Sequence, residues 1–378
     1  MLHWILDPAV SGFIIGYDLS GNQVLICNFD SKRYPVASWT MEHAREVVAA
    51  AIGRSEVKFD VLSFRPWVLS RKVAQKYVNE GRRIFLCGDA AHAFPPTGGL
   101  GLNCGLADVH NLAYKLAANI QSWGSRSLLD SYETERRPVA ELYAQQSVKN
   151  GKKIFGFLNT LGLADASGSG VKDIEDARSR LNVRVRDPAM QGAIEGEVEG
   201  QREHFDNLEL HLGYVYNSDS YNPRNASDFT AKFVLGARLP HTWIKPRRHL
   251  FNSHQKPVDL SYVDEVSAPF KDARRFTSLD LVPIDGFAMI VGMKRDWQNR
   301  FETLHYRLAI RGVKIVRFVA GEDFVFPVLK DGAAWMEQLG LSTGGGVIVR
   351  PDQHILMRFS KDGTGDEITD KILDHLGL

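Results

Sequence analysis

Short apolar runs and helical repeats alternate along the chain. Phe13–Tyr17 and Val24–Phe29 flank Ser20-Gly21-Asn22, a turn signal, so residues 1 to about 40 predict strands. Thr40–Ile52 predicts a helix with Thr40 as its cap and Gly53 as its stop. Val57–Leu62 and Arg65–Leu69 predict further strands, and Arg83–Cys87 reads as a short buried one. A Pro/Gly loop then precedes Leu102, Leu106, Val109, Leu112/Ala113, Leu116/Ala117 and Ile120, which recur at helical spacing. Helix continues through Ser127–Arg137, with Pro138 marking a kink or restart, and through Val139–Phe157 to a stop at Gly162.

The second half is mixed at first. Asp165–Gly170 reads as a flexible connection and Asp173–Asn182 as a short helix. From Gly236 the pattern sharpens. Phe287–Val291 is a buried strand, Trp297–Ile310 a helix, and Val313–Val319 a strand. Gly346–Arg350 and His354–Arg358 flank Pro351-Asp352-Gln353 as a hairpin, and Asp366–Leu376 closes as a helix.

Composition narrows the classes. A length of 378 residues suggests two or three domains, and 44% hydrophobic with 24% charged residues is ordinary for a globular protein. A net charge of +1 gives no reason to expect nucleic acid or an anionic membrane as partner. No apolar run approaches the roughly 20 residues of a membrane helix. Met1–Leu6 lacks the basic region of a signal peptide. Cys27, Cys87 and Cys104 stand far apart, form no metal pattern and fit a reducing cytoplasm as small buried hydrophobes. His204 and His211 lack a second ligand pair at metal-binding spacing, so no metal is expected.

The chemistry concentrates in GDAAHAFPPTGGLGLNCGLADVHNLAYKLA, Gly88 to Ala117. Asp89 sits at the end of an apolar run and accepts hydrogen bonds only, so it suits a hydroxyl-bearing ligand chain. Pro95 and Pro96 stiffen the approach, while Gly98, Gly99 and Gly101 let backbone approach a flat ligand. A helix beginning near Leu102-Asn103 points free N–H groups and partial positive charge at a group that gains negative charge. His92 reads as a structural residue of the turn.

This stretch resembles the second flavin-contacting motif of the FAD-dependent aromatic-ring hydroxylases of the phenol and chlorophenol hydroxylase type. The resemblance implies that Asp89 binds the ribityl chain and that Pro96, Gly98, Gly99 and Gly101 lie along the isoalloxazine. It also implies that the N–H groups of Leu102 and Asn103 face the N1–C2 carbonyl edge. LLDSYETERRP resembles the family's Tyr-x-x-Glu-Arg-x-Pro signature, within which Glu133 and Arg137 could pair one turn apart.

The implied fold is α/β (α+β). It combines an incomplete FAD-binding Rossmann-like domain of the para-hydroxybenzoate-hydroxylase type, part of the substrate sheet, and a C-terminal thioredoxin-like domain. The expected boundaries are 1–75 for the partial substrate sheet, 76–165 for the FAD-binding part, 166–235 for a bridging segment and 236–378 for the thioredoxin-like domain. No cysteine follows Cys104, so dithiol chemistry is not expected of that last domain.

The implied activity is hydroxylation of a phenolic or other small aromatic substrate with FAD, NAD(P)H and O2, with no residue assignable as a general base. The resemblance admits a homodimer. No G-x-G-x-x-G after a strand occurs in the sequence, and the family places the ADP end of FAD on that element. Weak binding of FAD is therefore expected. A truncated, catalytically incompetent fragment serving at most as a folding or oligomerisation module is the competing expectation.

Overall fold

The computed structural model describes residues 1–18, 21–29, 35–163, 174–218, 221, 223, 225–247, 257–293 and 297–378. The turn at Ser20, the connection Asp165–Gly170 and the expected helix start at Asp173 lie outside these residues.

The chain begins with β1 (Leu2–Leu6), β2 (Ser11–Gly16) and β3 (Gln23–Cys27). They form an antiparallel meander in which Phe13 lies opposite both Trp4 and Ile26. Helix α1 (Met41–Ile52) follows as its capping residues require. The Thr40 side chain accepts from the His43 N–H at 3.1 Å, and Gly53 ends the helix at φ +67°. Val57–Leu62 and Arg65–Leu69, expected as strands, have no regular structure. Leu62 and Val68 are exposed, and among the described residues no strand lies beside them. Residue type alone, without a partner, does not make a strand.

Arg83–Cys87 is not a strand either. The run turns back on itself at Arg82 (φ +48°), and Phe85 makes a single bridge to Val78. The Asn79 side chain accepts from the N–H groups of Arg83 and Ile84, both at 2.9 Å, which closes the turn. Two short strands, β4 (Lys72–Val73) and β5 (His92–Ala93), pair antiparallel. Helix α2 (Leu100–Ile120) then leads to α3 (Asp130–Thr160). Pro138 lies inside α3 without a restart. Gly162 ends the helix in the left-handed conformation, with Leu163 N–H bonded to Leu158 O. Helices α4 (Ile174–Arg186), α5 (Pro188–Gly200) and α6 (Arg202–Phe205) follow; α4 is longer than the sequence suggested.

After α7 (Leu208–Leu212), a seven-stranded sheet dominates the rest. It contains β6 (Trp243–Pro246), β7 (Phe276–Thr277), β8 (Phe287–Gly292), β9 (Ile315–Ala320), β10 (Phe324–Val325), β11 (Gly346–Val349) and β12 (Ile355–Phe359). Helix α8 (Ala268–Asp272) precedes β7, α9 (Gln298–Ala309) joins β8 to β9, α10 (Leu329–Gln338) precedes β11, and α11 (Gly365–Leu376) ends the chain. The strand order is β12-β11-β8-β9-β10-β6-β7, with β8 and β9 parallel and β11 antiparallel to both of its neighbours. Every residue of β8 is buried, as a continuous apolar strand covered on both faces must be. One face carries Phe287, Met289 and Val291 against α9 and α11; the other carries Ala288 and Ile290 against Trp335 and Leu339.

The chain divides into two compact units. One comprises Met1–Ser70 and Ser147–Phe205, the other Arg71–Gln146 and Asp206–Leu378. In the first, Trp4 and Leu6 pack on Phe157, Leu158 and Leu161. In the second, the Gly88–Ala117 stretch and residues 236–378 share one unit. Among the described residues no helix is long and apolar enough to cross a membrane.

Candidate functional site

The expected ligand loop lies at the start of α2. Gly88, Asp89 and Ala90 form a single 3-10 turn, closed by Ala91 N–H to Gly88 O at 2.9 Å. Asp89 is exposed at that turn. The chain then pairs through β5, runs through the two prolines, and tightens at Pro96–Gly99, where Gly99 N–H bonds Pro96 O at 2.9 Å.

Gly98 (φ +96°) and Gly99 (φ +65°) both occupy the left-handed region, which a side chain would oppose. Gly99 caps α2 with no side-chain hydrogen bond, so the first-turn N–H groups are left for other acceptors. A Cβ placed on Gly99 would meet nothing within 4 Å, so open space borders the loop. Pro96 and Leu102 are exposed beside it. Asn103 uses its side chain to donate to Gly99 O at 2.9 Å, and the Asn207 side chain donates to Gly98 O at 2.8 Å. Both bonds fix the loop's carbonyls, and the first N–H groups of α2 carry no side-chain cap. An exposed carboxylate, a glycine loop with open space beside it and an uncapped helix start fit a flat, hydroxyl-bearing cofactor.

Beneath the loop, α2 presents an unusual inner face. Leu100, Cys104, Asp108, Asn111, Tyr114, Lys115 and Ala118 are buried. Only the first part of the apolar stripe read from the sequence lies outside: Leu102 is 76%, Leu106 60% and Val109 52% exposed, whereas Leu112 is buried and Leu116 and Ala117 pack against the core. Asp108, Asn111 and Lys115 each bond a side chain of α3, which offsets the cost of burying them.

Two networks form, one from each of two adjacent residues of the signature in α3. Arg136 donates through Nε to Asp108 Oδ1 at 2.8 Å and through Nη2 to Cys104 O at 3.3 Å. Its guanidinium lies over the rings of Tyr214 and Tyr216. Asp108 Oδ2 accepts from His92 Nε2 at 3.0 Å and from Gly88 N–H at 3.2 Å. Burial opposes the charge on Asp108, yet the hydrogen bond from His92 and the Arg136 guanidinium outweigh it and hold its carboxyl below the usual range. Burial pushes the Cys104 thiol up to about 12. Ligand atoms of His92, Cys104 and Asp108 lie within 4.8 Å of one another. The positive charge among them is the Arg136 guanidinium, whose Nη2 is 3.7 Å from Cys104 Sγ.

In the second network, Glu135 receives Arg350 on both carboxylate oxygens, at 2.6 and 2.9 Å. Lys115 Nζ and Asn111 Nδ2 each reach Glu135 Oε2 at 2.7 Å, and Asn111 also donates to Asp352 at 2.9 Å. Burial raises the cost of charging Glu135, but Arg350 and Lys115 hold it well below the usual carboxylate range. Asp352 is held low against the same burial by Arg350 and His354.

The other signature residues are structural as well. Tyr132 donates its hydroxyl to Leu86 O at 2.7 Å. Glu133 does not pair with Arg137; it accepts from the N–H groups of Tyr77 at 2.6 Å and Val78 at 3.2 Å. The sequence placed Asp89, the glycines, Leu102 and Asn103 on one loop and helix start. It gave no role to Asp108, Glu135 or Arg136, although Asp108 four residues after Cys104 and the Glu-Arg pair of the α3 signature were visible signals.

Residues 2–147 match the FAD binding domain family. FAD-dependent monooxygenase opdD of Penicillium oxalicum is 28% identical over 280 residues, covering 70% of this chain and 51% of that protein. The 2,4-dichlorophenol 6-monooxygenase of Delftia acidovorans is 25% identical over 385 residues, covering 97% of this chain and 60% of that one. The chain thus spans about half the length of the curated relatives it matches. A crystal structure of the flavin-dependent monooxygenase PieE in complex with FAD and substrate superposes with a TM-score of 0.77 at 22% identity, over 98% of this chain and 60% of PieE. The fold is therefore that of a flavoprotein monooxygenase carrying an FAD-binding domain. In sequence the chain is similar to FAD-dependent monooxygenases, and its residues 2–147 match their FAD binding domain.

Proposed function

We propose that this chain supplies the isoalloxazine- and ribityl-facing part of an FAD-dependent monooxygenase that hydroxylates a phenolic or related aromatic ring. NAD(P)H and O2 are its co-substrates. The observation that carries this reading is the uncapped helix start at Gly99, set beside exposed Asp89 in a region that matches the FAD binding domain family.

Asp89 accepts hydrogen bonds from ribityl hydroxyls. Pro96, Gly98, Gly99 and Gly101 line the ring, with no side chain on the three glycines to hold it off. The N–H groups of Leu102 and Asn103, aided by the α2 dipole, stabilise negative charge at the N1–C2 carbonyl edge. Bound flavin supplies hydride acceptance and oxygen activation, which no side chain can provide. The protein's part is to orient the ring and present fixed dipoles to it.

We assign residues 236–378 to a thioredoxin-like domain. Four strands and three helices in the order β8-α9-β9-α10-β11-β12-α11, with sheet order β12-β11-β8-β9, support that reading. Three free cysteines support a reducing, cytoplasmic setting. The test is incubation with FAD, NAD(P)H, a panel of phenols and isotopically labelled O2. One labelled oxygen in the product is expected; NAD(P)H oxidation without labelled product for any phenol would refute the hydroxylase reading.

A further inference from the structure

We propose that Asp108 is a positioning residue for the cofactor loop: it fixes the Gly88–Asp89 turn from beneath and so sets where the Asp89 carboxylate stands. The proposal rests on the flavin reading above and goes beyond it, because Asp108 is fully buried and does not line the loop's open side.

Three donors from three different segments converge on this carboxylate. Gly88 N–H belongs to the turn itself, His92 Nε2 to β5, and Arg136 Nε to α3. A carboxylate only accepts, so the His92 proton lies on Nε2; its buried Nδ1 has no partner, which leaves the Asp108 bond as the ring's anchor. The Gly88 bond is the informative one. A backbone N–H adjacent to Asp89, held to a charged group with no freedom of its own, ties the turn to the middle of α2. Arg136 in turn is held by Cys104 O and two tyrosine rings, so the carboxylate cannot swing.

Glycine packing makes the same junction tight. A Cβ on Gly105 would stand 3.1 Å from Gly88 Cα, closer than ordinary contact. The turn therefore rests on bare backbone of α2 at one point and on the Asp108 carboxylate at the next turn of the same helix. A purely structural charge pair would need Arg136 and nothing more. The bonds to Gly88 and His92 are what make Asp108 a register pin for the loop.

The test reads the loop and the ligand separately in the 378-residue chain. Hydrogen exchange over 88–93 should accelerate in Asp108→Asn at least tenfold relative to the β8–β9 sheet. Riboflavin, titrated by fluorescence quenching, should bind about tenfold more weakly. In an Asp89→Ala background, Asp108→Asn should cost little further affinity, since it acts through Asp89. Should Asp108→Asn fail to fold, Gly105→Ala leaves every charge in place and displaces the same turn, with a smaller loss of riboflavin affinity expected. A wild-type chain that takes up no riboflavin contradicts the flavin site and, with it, this assignment. Unchanged affinity in a folded Asp108→Asn or Gly105→Ala, or fully additive losses in the double variant, contradicts the positioning role alone.

Discussion

Strand β8 and helix α2 lie in the same compact unit, and their hydrophobic patterns have different outcomes. In β8 every apolar residue is buried, and the strand was readable from the five letters Phe287–Val291. In α2 the stripe begins exposed at Leu102, Leu106 and Val109 and is buried only from Leu112, while Asp108, Asn111 and Lys115 are buried. Both stripes of α2 have perfect helical spacing, so periodicity identified the helix and could not choose its inner face. The difference teaches that β8 is held by the hydrophobic effect, whereas the inner face of α2 sets paired charges among its apolar contacts. A buried ion network gives little net stability over an apolar core, but it is unforgiving of the loss of one member.

That contrast can be broken at its strongest point. Arg350→Ala leaves Glu135 and Asp352 buried without their main counter-charge, and should cost about 3–5 kcal/mol. Met289→Ala in β8 should cost about 2–5 kcal/mol through the cavity alone. Chemical denaturation of both variants checks the ranking. The Arg350 loss should vary strongly with pH, and the Met289 loss should not.

Acid should reveal the same division. Asp108, Glu135 and Asp352 have folded values below the roughly 3.9–4.3 of free carboxyls. The unfolded chain therefore binds their protons first as pH falls. Their contribution is complete above about pH 5 and is lost progressively below about pH 4. Denaturation midpoints at pH 7, 5, 4 and 3 should fall steeply at the acid end. Glu135→Gln should start lower at pH 7 and fall less steeply; an unchanged slope would mean that Glu135 is not ionised in the fold.

Smaller effects sharpen the picture. Gly99→Ala forces a side chain into φ +65° and should cost about 1 kcal/mol in thermal stability. Leu106→Ser on the outer stripe should change stability by no more than about 0.5 kcal/mol, as for ordinary surface positions. A loss above 2 kcal/mol in this chain would show that the stripe is covered after all.

How far the sequence could be read follows from the same physics. Helix α1 was legible to its ends because Thr40 and Gly53 act locally. The β11–β12 hairpin and α11 were legible for the same reason: turn and capping residues carry their own instructions. Val57–Leu62, Arg65–Leu69 and Arg83–Cys87 carry strand-forming residues without becoming strands, since strand formation depends on a partner that no local pattern supplies. Pro138, expected as a kink or restart, brings no restart: α3 runs through it. Asp89 and the glycine loop were legible as chemistry because their residue types are unusual together. Asp108, Glu135 and Arg136 were not, because their partners lie as far away in sequence as Arg350.

The central claim is that the loop from Gly88 to Asn103 is a flavin site. It is tested most directly by titrating FAD into the wild-type chain and into Asp89→Ala, following flavin fluorescence. The account predicts saturable but weak binding by the wild type, and a further ten- to hundredfold loss in the variant, the range for removing one charge-assisted hydrogen bond worth about 1.5–3 kcal/mol. Equal affinity in the two proteins, or tight stoichiometric FAD in both, would contradict it.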